Sequence, residues 1–172
     1  MITTERLTLR PPVPADAPRI AELVGDFEVA RWVSTVPHPY ALEDALAWMA
    51  THDAGRAADS DHPFAITTAA DGLVGMTGLH RKPEHGGRFE IGYWIGQPYW
   101  GRGYATEAGR ALLAWAEARG ETAFISRHFE GNAASGAVLT KLGFVYTGER
   151  GTLRSRAHAG AEMVTLEMRR PL

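Results

Sequence analysis

Apolar and polar residues first alternate at Leu7-Thr8-Leu9-Arg10, which predicts a short strand stopped by Pro11 and Pro12. Asp16 then stands where a helix cap belongs. Ile20, Leu23 and Val24 follow on one side, with Gly25 near the end. Another short helix is expected over 27–32. Pro37-His38-Pro39-Tyr40 is rigid and non-helical, because each proline biases its predecessor away from helix. Residues 43–52 read as helix with Leu46 and Met49 inward, and the polar stretch 55–63 reads as a surface loop.

Three strand-like runs follow, at 64–68, 73–79 and 89–95. Asp71-Gly72 between the first two predicts a tight antiparallel hairpin, and Pro83 to Gly87 makes the next turn. A long helix is expected over 106–119, burying Ala108, Leu112 and Trp115. A strand at 123–129 and a helix at 133–142 come next. Gly143 is placed as the left-handed cap, with Phe144 folding back on the last turn. Strands at 144–147 and 163–168 close the chain. This order predicts an α/β (α+β) fold in a single domain, 1–172, with a mixed, mostly antiparallel central sheet flanked by helices.

Composition narrows the chemistry. The chain is 45% apolar and 22% charged, an ordinary globular balance, and it holds no cysteine. Disulfides, thiolate metal sites and a thioester-forming nucleophile are therefore excluded. A net charge of −2 supplies no basic field for nucleic acid, so no such partner is expected. Met1-Ile2-Thr3-Thr4-Glu5-Arg6 does not read as a secretory signal, and no apolar run approaches membrane-spanning length. A soluble cytoplasmic protein without a membrane partner is expected.

The most informative stretch is Gln97-Pro98-Tyr99-Trp100-Gly101-Arg102-Gly103-Tyr104-Ala105-Thr106-Glu107-Ala108. A buried strand ends at Ile95, a loop with two glycines follows, and a helix begins. Glycines permit positive φ and close approach of a ligand. Unpaired N–H groups at the helix start accept a phosphate without any lysine. A plain strand-to-helix turn would use the same glycines. The P-loop pattern fails here, since no Gly-Lys-Ser/Thr follows, and the dinucleotide fingerprint fails at its third glycine, which is Thr106.

About thirty residues on comes Asn132-x-x-Ser135, followed by Lys141-Leu142-Gly143-Phe144. With Trp100-Gly101-Arg102-Gly103-Tyr104-Ala105, these residues resemble the GNAT superfamily of N-acetyltransferases, RimJ/RimL-like branch. Thr4-Glu5-Arg6-Leu7-x-Leu9-Arg10 and Glu90-Ile91-Gly92-Tyr93-Trp94-Ile95 match more weakly. Trp100 departs from the superfamily's usual Gln or Arg.

The resemblance implies acetyl-CoA as acyl-donor substrate and a sheet splayed at its binding site. Backbone N–H groups from Arg102 through Gly103, Tyr104 and Ala105 to Thr106 would hold the diphosphate, with Trp100 and Gly101 in the same loop. The strand edge at Trp94 and Ile95 would pair with the pantetheine amides. Asn132 would bond the pantetheine arm, or cap its helix, or both. Ser135 is the implied proton donor to the leaving thiolate, against a role in packing. Lys141 would neutralise a cofactor phosphate, or be one more solvated lysine.

The acceptor must present a neutral amine. At pH 7 about one in seven α-amino groups is neutral, against about one in 2,500 lysine amines. A protein N-terminal α-amine is thus favoured over a small-molecule amine such as a polyamine, amino acid or aminoglycoside. Glu90 is the first candidate for general base, with an ion pair to Arg102 or Arg127 as its structural alternative. Some RimL-like members carry an acidic residue after the position of Phe144, where this chain has Arg154. Trp32, His38 and Tyr40 are expected at the acceptor pocket, and 150–161 beside it; Tyr40 and Trp48 would serve equally as packing. His128 is a further candidate for facing the reacting centre. No two of the seven histidines have metal-ligand spacing, so no metal is expected. The alternative function is a non-catalytic acyl-CoA-binding or sensing module. A homodimer paired through C-terminal strands is common for such folds.

Overall fold

The computed structural model describes residues 1–171. Eight strands form one sheet in the order β1-β2-β3-β4-β5-β6-β8-β7. They are β1 (Ile2–Thr3), β2 (Thr8–Arg10), β3 (Asp61–Thr68), β4 (Gly72–Lys82), β5 (Arg88–Ile95), β6 (Phe124–Phe129), β7 (Val145–Ser155) and β8 (Ala161–Arg170). The helices are α1 (Ala17–Val24), α2 (Phe27–Ala30), α3 (Leu42–Met49), α4 (His52–Ala57), α5 (Tyr104–Glu117) and α6 (Ala133–Lys141). All strand neighbours are antiparallel except β5 and β6. The expected mixed, mostly antiparallel sheet with flanking helices is what the chain forms.

The β3–β4 hairpin forms at Asp71-Gly72, as expected, and Gly72 takes φ +67° there. Gly143 adopts φ +86°, and the Phe144 N–H returns to the Leu139 carbonyl at 3.0 Å, burying the phenyl ring. On β5 the side chains alternate. Phe89 meets His62, which in turn meets Trp115 of α5, so Phe89, Ile91, Tyr93 and Ile95 face α5. Glu90, Gly92 and Trp94 face the opposite side.

Four expectations are corrected. Asp16 does not cap α1 with its side chain: it closes a 3-10 turn at Pro14–Asp16, accepting the Val13 N–H at 2.8 Å and two Arg10 guanidinium bonds of 2.7 Å. Leu46 is 44% exposed, while Ala45 is fully buried. The face packed inward runs through Ala45, Trp48, Met49 and His52, a spacing of three and four that a register centred on Leu46 misses. The stretch 55–63 is no loop, since it holds the end of α4 and the start of β3. The last two strands are far longer than 144–147 and 163–168, because they form an extended hairpin whose outer strand β7 is a sheet edge.

Candidate active site

β5 and β6 pair over only two positions, Phe89 with Phe124 and Glu90 with Ile125. The Ser126 hydroxyl then donates to the Ile91 carbonyl at 3.0 Å, and the two strands part. A cavity of about 840 Å³ opens at this fork, walled by β5, β6, the N-terminal ends of α5 and α6, and the 32–35 segment. Strand β5 therefore keeps an unpaired edge from Gly92 to Ile95. One acceptor on that edge is already used: the Trp100 indole N–H donates to the Ile95 carbonyl at 2.6 Å.

The loop at the end of β5 has the backbone its sequence demands. Gly101 and Gly103 take φ +74° and +79°, a region costly for any residue with a Cβ. The first intrahelical bond of α5 runs from the Glu107 N–H to the Gly103 carbonyl. The N–H groups of Tyr104, Ala105 and Thr106 thus have no backbone acceptor among the described residues, and these three residues line the cavity. The chain's N-terminal segment fastens this loop. Arg6 donates to the Arg102 carbonyl at 3.0 Å and to Glu107 Oε2 at 2.7 Å, and Thr4 Oγ1 donates to Glu107 Oε1 at 2.6 Å. Burial disfavours the charged Glu107, yet the Thr4 and Arg6 bonds outweigh it and hold the carboxyl below its ordinary range. The Arg102 side chain turns away from the cavity, donating to the Pro98 carbonyl and lying over Tyr99.

Across the fork, Asn132 caps α6 by accepting the Ser135 N–H at 3.2 Å, and its amide NH2 has no partner among the described residues. Both roles foreseen for it are sterically compatible. The Tyr93 hydroxyl lies 3.0 Å from both Ser135 Oγ and the Ser135 carbonyl, so its single proton serves one of the two at a time. Burial pushes the Tyr93 phenol up to about 12, against the pull of the Ser135 bond. Tyr93 is therefore a neutral donor at physiological pH. Its link to Ser135 went unseen in the sequence, where Tyr93 reads only as one more core-facing strand residue. Lys141 is exposed at the end of α6 and lines the same cavity.

On the other face, Glu90 is bound at 2.8 Å by Arg127, with Lys82 at 3.6 Å. The arginine partner left open by the sequence is thus present. Trp32 lines the cavity, whereas His38 and Tyr40 do not. His38 stands edge-on to Phe27 at 5.1 Å, and burial, aided by Asp44, pushes the Tyr40 phenol up to about 12. Arg154 is exposed on β7, 4.0 Å from Glu162. His128 lines the cavity, but both of its ring nitrogens are engaged. Nδ1 lies 2.9 Å from the Phe129 carbonyl, which can only accept, so Nδ1 carries the proton and Nε2 accepts from Tyr146 at 3.0 Å. A Cβ on Gly136 would collide with the Tyr146 hydroxyl, so this small residue admits the pair against α6.

The family described as acetyltransferase (GNAT) domain matches residues 6–145. The chain is 29% identical over 110 residues to the uncharacterized N-acetyltransferase p20 of Bacillus licheniformis, a match spanning 64% of this chain and 62% of that protein's length. It is 28% identical over 148 residues to YdaF of Bacillus subtilis strain 168, whose name provisionally describes a ribosomal N-acetyltransferase; 84% of this chain and 81% of YdaF are covered. Among solved structures, a GNAT-family acetyltransferase from Bacillus anthracis superposes with a TM-score of 0.79 at 22% identity, covering 98% and 96% of the two chains. The ribosomal L7/L12 α-N-protein acetyltransferase RimL, in complex with coenzyme A, gives 0.75 at 16%, covering 95% and 94%. The microcin C7 self-immunity acetyltransferase MccE, in complex with acetyl-CoA and AMP, gives 0.80 at 16%, covering 98% and 94%. By the matched family and by a sheet forked between its two parallel strands, the chain belongs to the GNAT acetyltransferases and is similar to their RimJ/RimL-like members.

Proposed function

We propose that this chain is an acetyl-CoA-dependent N-acetyltransferase that passes acetyl directly from the thioester to a primary amine, with a protein N-terminal α-amine as the favoured acceptor. The observation that carries this reading is the fork itself. Three acceptor-free amides at the start of α5 stand at one side of it and the Tyr93–Ser135 hydroxyl pair at the other, along one cavity. The residues fit coenzyme A: the α5 amides suit its diphosphate, while the Asn132 amide and the open edge of β5 suit its pantetheine amides. Bound there, the donor supplies an activated carbonyl and a thiolate leaving group.

In this reading Ser135 Oγ donates a proton to the departing sulfur, and Tyr93 holds that hydroxyl in place. Trp94 and Trp32 wall the acceptor side. RimL and MccE, the structural neighbours with bound coenzyme A and acetyl-CoA, support the choice of donor. RimL's description as an α-N-protein acetyltransferase supports the choice of acceptor. A second reading, an acyl-CoA-binding module without catalysis, draws on one observation: Glu90 is neutralised by Arg127 and Lys82. Pairing of two copies along the exposed edge of β7 belongs to the leading reading too, and light scattering on the purified protein would test it.

Calorimetric titration with acetyl-CoA, joined to thiol release on peptides with free and blocked N-termini, polyamines and aminoglycosides, tests the assignment. Binding with release only on free α-amines is the expected result. Binding without release on any amine leaves the non-catalytic module, and no binding removes both.

A further inference from the structure

We propose that His80, oriented by Asp61, is the general base that takes the proton from the acceptor amine; this rests on the acetyltransferase reading above. Asp61 on β3, His80 on β4 and Glu90 on β5 are register partners in one row across three strands, on the face of the sheet away from α5. His80 Nδ1 lies 2.7 Å from Asp61 Oδ1, at an angle that makes no hydrogen bond, so Asp61 acts on the ring through its charge and close contact. The next row toward the fork is Pro63, Gly78 and Gly92. The imidazole lies over its two glycines: a Cβ on Gly78 would stand 3.4 Å from His80 Nε2, and one on Gly92 3.5 Å from it. Neither glycine has positive φ, so backbone conformation is not what makes them glycine. A Cβ at either position would make only ordinary van der Waals contact with the ring, so what these distances fix is the place of Nε2, above the row next to the fork. Nε2 has no hydrogen-bond partner among the described residues, and His80 lines the cavity.

The cavity wall holds two imidazoles and two carboxylates among the described residues, and the other three are committed. His128 uses both ring nitrogens. Glu90 is held by Arg127 and Lys82. Asp61 is turned to His80; burial disfavours its charge, but the His80 contact outweighs this and keeps it ionised. The groups facing His80 are Asp61 from β3, His52 from α4, Lys82 on its own strand, Glu90 from β5 and, through Glu90, Arg127 from β6. An aspartate at Nδ1 with Nε2 free is how an imidazole is prepared to accept a proton.

The step balances. The amine nitrogen bonds to the acyl carbon as its proton passes to Nε2, the carbon–sulfur bond breaks, and the thiolate takes the Ser135 proton. The imidazolium then releases its proton to solvent while Ser135 is reprotonated, so no further co-reactant is needed.

The test uses the full chain with acetyl-CoA and a short peptide bearing a free α-amine. His80→Ala is expected to lower kcat/KM by about 100-fold or more, within the usual range for a general base, with acetyl-CoA affinity and thermal melt unchanged. Added imidazole should restore part of the rate. Asp61→Asn, a positioning change, should lower kcat while leaving KM and acetyl-CoA affinity near wild type, a split that a merely structural loss would not produce. Wild-type rate in His80→Ala, or no rescue together with a larger loss in Glu90→Gln, overturns the proposal while leaving the enzyme assignment standing. A wild type that binds acetyl-CoA and acylates nothing ends both.

Discussion

Tyr93 sets a phenol against the Ser135 hydroxyl, and burial keeps that phenol protonated well past neutrality. Removing its oxygen should free the serine to rotate away from the fork. Tyr93→Phe is expected to reduce kcat by about 5- to 10-fold, the worth of one hydrogen bond of about 1 kcal/mol, without weakening acetyl-CoA binding. Ser135→Ala should cost at least as much, and the double variant little more, since the two act as one unit. Stopped-flow turnover beside calorimetry reads both quantities. At the start of α5, Gly103 holds φ +79°, where a β-branched residue is strongly disfavoured. Gly103→Val should weaken acetyl-CoA binding at least about tenfold, as loop strain and a branched side chain set against Arg6, which fastens the loop, act together. The glycine loop and Asn132 were legible in the sequence because their chemistry is local: a turn, a cap, an exposed run of amides. Tyr93 and His80 were not, since the partners that give them meaning are 42 and 19 residues away and meet them only through the fold, Ser135 by the docking of α6 and Asp61 by strand register.

In the helix Leu42–Met49 one of the two positions expected inward holds and the other does not: Met49 packs on the core, and Leu46 points to solvent. Leucine at 46 is the more hydrophobic choice, yet alanine at 45 faces the core, in line with Trp48, Met49 and His52. Leu46→Lys should therefore change stability by no more than about 0.5 kcal/mol. Ala45→Leu, forcing bulk into a filled space, should cost about 1–3 kcal/mol. Urea unfolding of the two variants compares them directly, and a larger loss for Leu46→Lys would restore the other register. The hairpin of β7 and β8 was underestimated for a different reason. Most of β7 is exposed on both faces, so no alternation of apolar and polar residues marks it. By contrast β3, β4 and β5, buried on one or both sides, announced themselves in the sequence to within a few residues.

Across the whole molecule, acid should unfold the protein in two stages. Burial pushes the His52 imidazole below its ordinary value of 6.5, with the Asp61 charge opposing that and Arg56 adding to it. The folded state therefore binds this proton less readily than the unfolded chain. Its contribution is complete above pH 6.5 and fades as the pH falls from there. Asp16 behaves as a depressed carboxyl: burial opposes its charge, but Arg10 and the Val13 N–H outweigh burial and place it below 3.8. Its contribution is present above that value and is lost as the pH falls through the folded one. Melting temperatures from pH 8 to 3 should decline gently below about 6.5 and steeply below about 4. His52→Gln should remove the first decline and Asp16→Asn part of the second.

The fork in the sheet has a mechanical meaning as well. Two leaves of strands, one ending at β5 and the other beginning at β6, are tied along their shared border by two residue pairs, one serine bond and the Arg127–Glu90 ion pair. Anything that lays amides along the open part of the Gly92 to Ile95 margin acts as a splint, making one continuous sheet from the two leaves. The donor would then be a structural member of the enzyme for as long as it stays bound, and the acceptor would meet a stiffer surface than the free protein presents.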